Sequence, residues 1–130
     1  MHTLRIELGR GLELTSAECK WGPTAEGWSV TIVGPFGEKT GYGYDAFEAL
    51  TKVRQQIEPD GWRVGLAGAL PNVWPSGMAR DMGSGLKAYV LVSGVRPKPE
   101  DLVDVFSAVS PAKAVDVATQ LHHVHEILGI

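Results

Sequence analysis

Three groups capable of metal or proton chemistry crowd the end of the chain: His122, His125 and Glu126. On a helix, positions 122, 125 and 126 are i, i+3 and i+4, so the three side chains share one side. A zinc site needs three or four ligands in a defined geometry. A fourth would have to come from His2 or a distant acid, and the H-E-x-x-H order of a zinc protease is absent. Solvated or packing histidines are the expectation, with no metal and no cofactor. Cys19 is the only cysteine, which excludes an intrachain disulfide and a cysteine-based zinc site. No histidine stands at a spacing that would make Cys19 a nucleophile, and a lone cysteine usually behaves as a small buried hydrophobe. Ser76 lacks the G-x-S-x-G frame of a nucleophile elbow. Gly41-x-Gly43 lacks the third glycine of a phosphate fingerprint, although a backbone anion site at the following helix start stays open. No catalytic residue is assigned.

Residues suited to binding are easier to find. Between two apolar segments lies Leu70–Gly85, a sixteen-residue stretch without evident periodicity. Loops of this length in a small domain are commonly functional or disordered. This one holds Val73, Trp74, Met78 and Met82, which favour burial, and only two charges, Arg80 and Asp81. It is expected to fold back as a compact loop. One reading has Trp74 and the methionines plug the core; the other makes the loop a recognition surface. Trp and Arg most often carry binding energy, and Met adapts its shape to a partner.

Charge adds a second candidate surface. From Pro97 onward there are five acids and two bases, which supply the whole formal net charge of -3 of this 130-residue chain. Glu100, Asp101 and Asp104 cluster at its start and could steer a basic partner. Basic residues are scattered, without the stripe that nucleic acid demands. No apolar run approaches the roughly 20 residues that span a bilayer, and the first residues lack a secretory apolar stretch. The composition, 44% hydrophobic and 21% charged, fits a single globular cytoplasmic domain.

The elements that must position these groups follow from periodicity. Thr3–Leu8 alternates with Leu4, Ile6 and Leu8 on one face, and a turn at Gly9-Arg10-Gly11 leads into a second strand in which Leu12 and Leu14 resume the alternation. Trp28–Val33 is a third strand, with Trp28, Val30 and Ile32 on one face. Glu38–Tyr44 is a weaker fourth, in which Gly41 and Gly43 mark a bulge or a close approach. Asp45 and Glu48 form a capping-box-like pair ahead of a helix whose buried stripe is Ala46, Phe47, Leu50, Val53 and Ile57. Further strands are expected at Trp62–Ala69 and Leu86–Ser93, the latter apolar enough to be central and covered on both faces. Asp101–Val105 reads as a short helix or a short strand. Ser110-Pro111 opens a last helix to about Leu128, with Ala114, Val117, Leu121, Val124 and Leu128 as its stripe. The sum is an α+β domain: a mostly antiparallel sheet of five to six strands with two helices packed on it.

The string Val73-Trp74-Pro75-Ser76-Gly77-Met78-Ala79-Arg80-Asp81-Met82-Gly83, with Gly61-Trp62-Arg63 before it and Lys87-Ala88-Tyr89 and Glu100–Phe106 after it, resembles small bacterial proteins of actinobacterial type that share a W-P-S-G-M-x-R-D-M-G core. The likeness covers roughly Tyr44 to Phe106. It implies a context, not a chemistry: compact, mildly acidic proteins of this size often serve as immunity proteins of polymorphic toxin systems. The leading expectation is an interaction protein, an immunity or antitoxin-like partner that occludes a basic toxin domain. Trp74, Met78, Arg80, Asp81 and Met82 would anchor it, and Glu100, Asp101 and Asp104 would steer. An alternative is a small enzyme or ligand-binding domain with a pocket under the 70–85 loop, lined by Trp62, Arg80, Asp81 and Tyr89. A third is a secretion chaperone or assembly subunit.

Overall fold

The computed structural model describes residues 1–130. Strands β1 (His2–Arg10) and β2 (Glu13–Pro23) form the expected hairpin, but Gly9 and Arg10 stay paired in β1 and the turn falls at Gly11-Leu12, not at Gly9-Arg10-Gly11; Gly11 takes a left-handed φ of 60°. The register sets Leu4, Ile6 and Leu8 opposite Cys19, Ala17 and Thr15. Leu12 and Leu14 do not join that buried face. Leu14 pairs with Gly9, one residue out of phase with the buried set, and both leucines are exposed. A one-residue offset moves a side chain to the opposite face of a strand.

Strands β3 (Trp28–Gly34) and β4 (Gly37–Gly43) continue the antiparallel meander, and the short β5 (Arg63–Val64) closes it on the far side in the order β4-β3-β2-β1-β5. Helix α1 (Ala46–Ile57) follows β4 directly. Asp45 Oδ1 accepts the Glu48 N–H at 2.7 Å and so caps its start. The stripe read from the sequence is the one buried: Ala46, Phe47, Leu50, Val53 and Ile57 form one core with Ile6, Leu8, Val30 and Ile32. Gly41 makes this packing possible. A Cβ there would lie 2.4 Å from both the Ala49 carbonyl oxygen and the Val53 nitrogen, so only a glycine lets the helix backbone settle on β4.

A second, three-stranded antiparallel sheet is built from β6 (Val73–Trp74), β7 (Lys87–Val90) and β8 (Leu102–Asp104), with β7 in the middle. The central place of β7 agrees with its apolar sequence, but its covering is one-sided: Ala88 is buried, Tyr89 and Val90 are half-buried, and Val92 beyond it is exposed. The Trp62–Ala69 strand shrinks to β5, after which Leu66 bridges to Ala108 and Ala67–Ala69 turn as a 3-10 helix. The Asp101–Val105 ambiguity resolves as a strand, β8, and the 3-10 turn at Pro99–Asp101 lies ahead of it.

Two helical expectations change. The 70–85 stretch is not an irregular loop, because it contains β6 and a helix, α2 (Gly77–Gly83). The last helix does not start at Pro111. Ser110 caps a single 3-10 turn at Pro111–Lys113, and α3 (Val117–Leu128) begins afresh with Asp116 as its cap. The break at Ala114–Asp116 has a cause: the Val115 N–H is spent on the Ala69 carbonyl, and its own carbonyl accepts from Arg54. The stripe of α3 also rotates. Val124 is buried as expected, but Gln120 takes the place of Leu121, which is exposed along with Leu128. The architecture is α+β and mostly antiparallel, with eight strands in two sheets and three helices rather than five to six strands and two helices.

Candidate interaction site

Among the side chains of helix α2, Arg80 is the one that bonds to the body. Ser76 Oγ caps the helix by accepting the Ala79 N–H at 3.0 Å, and Ser84, at a left-handed φ of 58°, ends it. No residue of α2 is buried. Arg80 Nη1 donates to the Tyr44 hydroxyl at 2.9 Å and to Asp45 Oδ2 at 3.4 Å. Its guanidinium also lies 5.1 Å from the Phe47 ring centre and 5.7 Å from that of Trp74. Those two rings meet edge-on at 5.2 Å. The favourable charge–quadrupole contact and the ion pair together fix the helix. Asp45 therefore serves both helices, one oxygen capping α1 and the other holding Arg80. The chain returns to α1 at Ser84, whose carbonyl accepts the Ala46 N–H at 2.8 Å, and at Gly85, where φ is 70° and a Cβ would press on Asp45.

With Arg80 turned inward, Met78 and Met82 turn outward. They stand one helical turn apart, 71% and 81% exposed, with Asp81 exposed beside them. Trp74 and Arg80 are thus brought together, as packing partners, while the two methionines form the free face.

The acidic candidates lie elsewhere. Glu100, Asp101 and Asp104 sit on the turn before β8 and on β8 itself, at the opposite edge of the small sheet from β6. Two of them have local duties. Asp101 Oδ2 accepts the Lys98 N–H at 2.8 Å, and Asp104 Oδ1 accepts the Phe106 N–H at 3.0 Å while facing Lys87 Nζ at 3.9 Å. The structure does not join these acids to α2 in one contact set.

Two pockets border the 70–85 segment, and both depart from the expected lining. One measures about 210 Å3 and is walled by Trp74, Pro75, Tyr89, Leu91 and Leu128; the other measures about 420 Å3 and is walled by Asn72, Leu91, Val92, His123 and Ile127; neither includes Arg80, Asp81 or Trp62. Trp62 is buried on the other side of the fold, under the Arg10 guanidinium at 4.2 Å.

At the end of α3, His122 Nε2 and Glu126 Oε1 bond to each other at 2.7 Å on the exposed side. No group of three metal-ligating side chains forms. Cys19 is fully buried in the core, and burial pushes its thiol up to about 12.

The most elaborate polar arrangement was not among the candidates. Arg54, 0% exposed, donates from Nε to Glu58 Oε2 at 3.0 Å, from Nη1 to Gln120 Oε1 at 2.7 Å and from Nη2 to the Val115 carbonyl at 2.7 Å. The Gln120 amide in turn donates to the carbonyls of Gly68 and Leu70, both at 2.8 Å. Glu58 Oε1 accepts the Val117 N–H at 3.0 Å, at the first turn of α3. Burial pushes Glu58 above its ordinary value, and the charge of Arg54 pulls it back. Every buried side-chain nitrogen and oxygen finds a partner. A partial signal for this network exists in the sequence. Arg54 falls between Leu50, Val53 and Ile57 on the buried stripe of α1, where a polar residue needs partners, whereas Gln120 lies beside the stripe read for the last helix.

No helix is long and apolar enough to cross a membrane. A scan against protein-family models finds no match to this chain, and a search of curated proteins finds no significant relative.

Proposed function

We propose that this is an interaction protein of the immunity or antitoxin type, which binds a protein toxin domain and occludes it. The observation that carries the reading is the free face of α2. A seven-residue helix buries none of its own residues, yet presents Met78 and Met82 to solvent from a base fixed by Arg80. Full burial of a side chain of this size against a partner contributes about 1.5–3 kcal/mol. Methionine accommodates an irregular partner surface at low cost. The W-P-S-G-M-x-R-D-M-G string falls on β6 and α2, so the resemblance and the exposed face coincide.

Anchoring divides differently from the simplest expectation. Met78, Met82 and Asp81 make the contact; Trp74 and Arg80 hold the contacting helix in place. Glu100 remains available for steering, and Asp101 and Asp104 add to the same field while capping their own turns.

The test is protection in cells. The protein is co-expressed with candidate toxin domains taken from genes neighbouring its own, as wild type and as the Met78→Glu/Met82→Glu double variant. Wild type restores growth and co-purifies with the toxin domain, and the double variant does neither while keeping its melting transition. A toxin that stays lethal beside the wild-type protein sinks the proposal.

A further inference from the structure

A cleft of about 510 Å3 opens where the β2–β3 loop, the end of β4 and the first turn of α1 meet. Its walls include Trp28, Tyr42 and Tyr44, three of the ten aromatic residues of the chain (four Trp, three Tyr, three Phe). Its charged residues are Glu26 and Glu48, and no lysine, arginine or histidine lines it. Glu26 is exposed and has no ion-pair partner. Glu48 offers only one oxygen to the protein, a long 3.4 Å contact from the Tyr44 N–H. The main chain is closely set here, since a Cβ on Gly27 would lie 2.3 Å from the Gly43 carbonyl oxygen and one on Gly43 would lie 2.6 Å from the Ala49 nitrogen. The two glycines bring the loop, the strand and the helix together and so form the cleft.

We propose that this cleft is a binding site for an organic cation, specifically the guanidinium or ammonium end of an arginine or lysine side chain of the protein partner. Three observations support that chemistry together. The walls are aromatic, and the faces of such rings attract a partly desolvated cation. The formal charge of the lining is negative with no internal counter-ion. The cleft also adjoins the inward side of α2, because Tyr44 lines the cleft and its hydroxyl accepts from Arg80. The inference rests on the interaction reading for the source of the cation, but the site's preference for positive charge is testable without any partner.

The test follows backbone and indole resonances of the whole protein during titration with N-acetyl-argininamide, with N-acetyl-citrullinamide as the neutral isostere. The expected result is saturable shifts of Gly27, Trp28, Tyr44 and Glu48 with the arginine compound in the millimolar range, absent with citrulline and weakened by salt. Glu26→Gln/Glu48→Gln should weaken binding about tenfold and Tyr42→Leu about threefold, as lost ion and ring contacts of this size imply. Equal shifts with citrulline, or none at these residues with either compound, would overturn the site. Loss of protection by the double Met variant with no arginine binding would leave the interaction reading standing and remove only the cation site. Arginine binding without protection by wild type would do the reverse.

Discussion

The Nη1 of Arg54 on α1 donates a 2.7 Å hydrogen bond to Oε1 of Gln120 on α3, 66 positions further along the chain and wholly inside the core. Through it, α1 is tied at once to α3, to the Gly68–Val73 segment and to Glu58. A buried guanidinium in this setting is costly to disturb one partner at a time. Arg54→Met should destabilise by about 3–5 kcal/mol, because Glu58 is left buried without its counter-charge. Gln120→Leu should cost about 1–3 kcal/mol for the carbonyls it strands. The double variant should cost less than the sum, since the two share a bond. Urea denaturation of the four proteins measures all three quantities, and strict additivity would show that the bond carries no coupling.

Asp116 gives the fold a defined acid response. Its hydrogen bond with Thr119 at the start of α3, and then Arg63, hold it below its ordinary value of 3.8. A carboxylate lowered on folding stabilises the native state fully above its ordinary value, and loses that contribution as pH falls through the folded one. The stability difference between wild type and Asp116→Asn should therefore be constant at neutral pH and shrink below about pH 4. Glu58 works in the opposite sense. Its raised value favours the folded state at pH below the ordinary glutamate range, and that contribution is lost as pH rises through the raised value. Thermal melts across the acidic range, with Glu58→Gln as the second variant, separate the two.

Arg80 is the latch of α2, and its removal should be a local event. Arg80→Ala should raise amide exchange across Gly77–Gly83 by about tenfold or more, the loss of one charged hydrogen bond and a ring contact. Amides of β1, β2 and β3 should keep their protection. Arg80→Lys should rescue only in part, because a lysine does not reproduce a planar group that both bonds Tyr44 and Asp45 and lies near two rings. Asp45→Ala should be worse than Arg80→Ala, since it removes the cap of α1 as well. Uniform loss of protection in both variants would place α2 in the global folding unit instead.

Cys19 should be silent in the native protein. It is buried opposite Leu4 in the β1–β2 hairpin, and its thiol is pushed up to about 12 by burial, so thiolate is scarce at neutral pH. A thiol reagent such as dithiobis-nitrobenzoate should react at the rate of unfolding, and immediately in denaturant. Rapid reaction of the folded protein would show that the hairpin opens locally.

The elements that were legible in the sequence are those with local causes. Alternation at Leu4, Ile6 and Leu8, the Asp45 cap and the stripe from Ala46 to Ile57 all depend on residues within a turn or a strand of one another and stand as read; the Glu48 carboxylate, the other half of the capping pair, turns instead to the Tyr44 N–H. The α2 helix was partly legible as well. Ser76 ahead of Met78 and Met82 at one-turn spacing, closed by Gly83-Ser84-Gly85, is a capped helix in outline, hidden by its shortness and by the glycine at its start.

What tertiary structure alone decided is where polar groups find partners. The turn at Gly11-Leu12 set a register that left Leu12 and Leu14 outside. The Arg54 bond to the Val115 carbonyl broke a helix that Ser110-Pro111 would otherwise have begun. Asp45, the cap of α1, turned Arg80 inward and so chose which face of α2 meets solvent. The charges of the chain are sequence facts. Their use is decided by contacts between residues far apart in sequence, because a buried or half-buried charge takes its orientation from whatever partner the fold brings within about 3 Å.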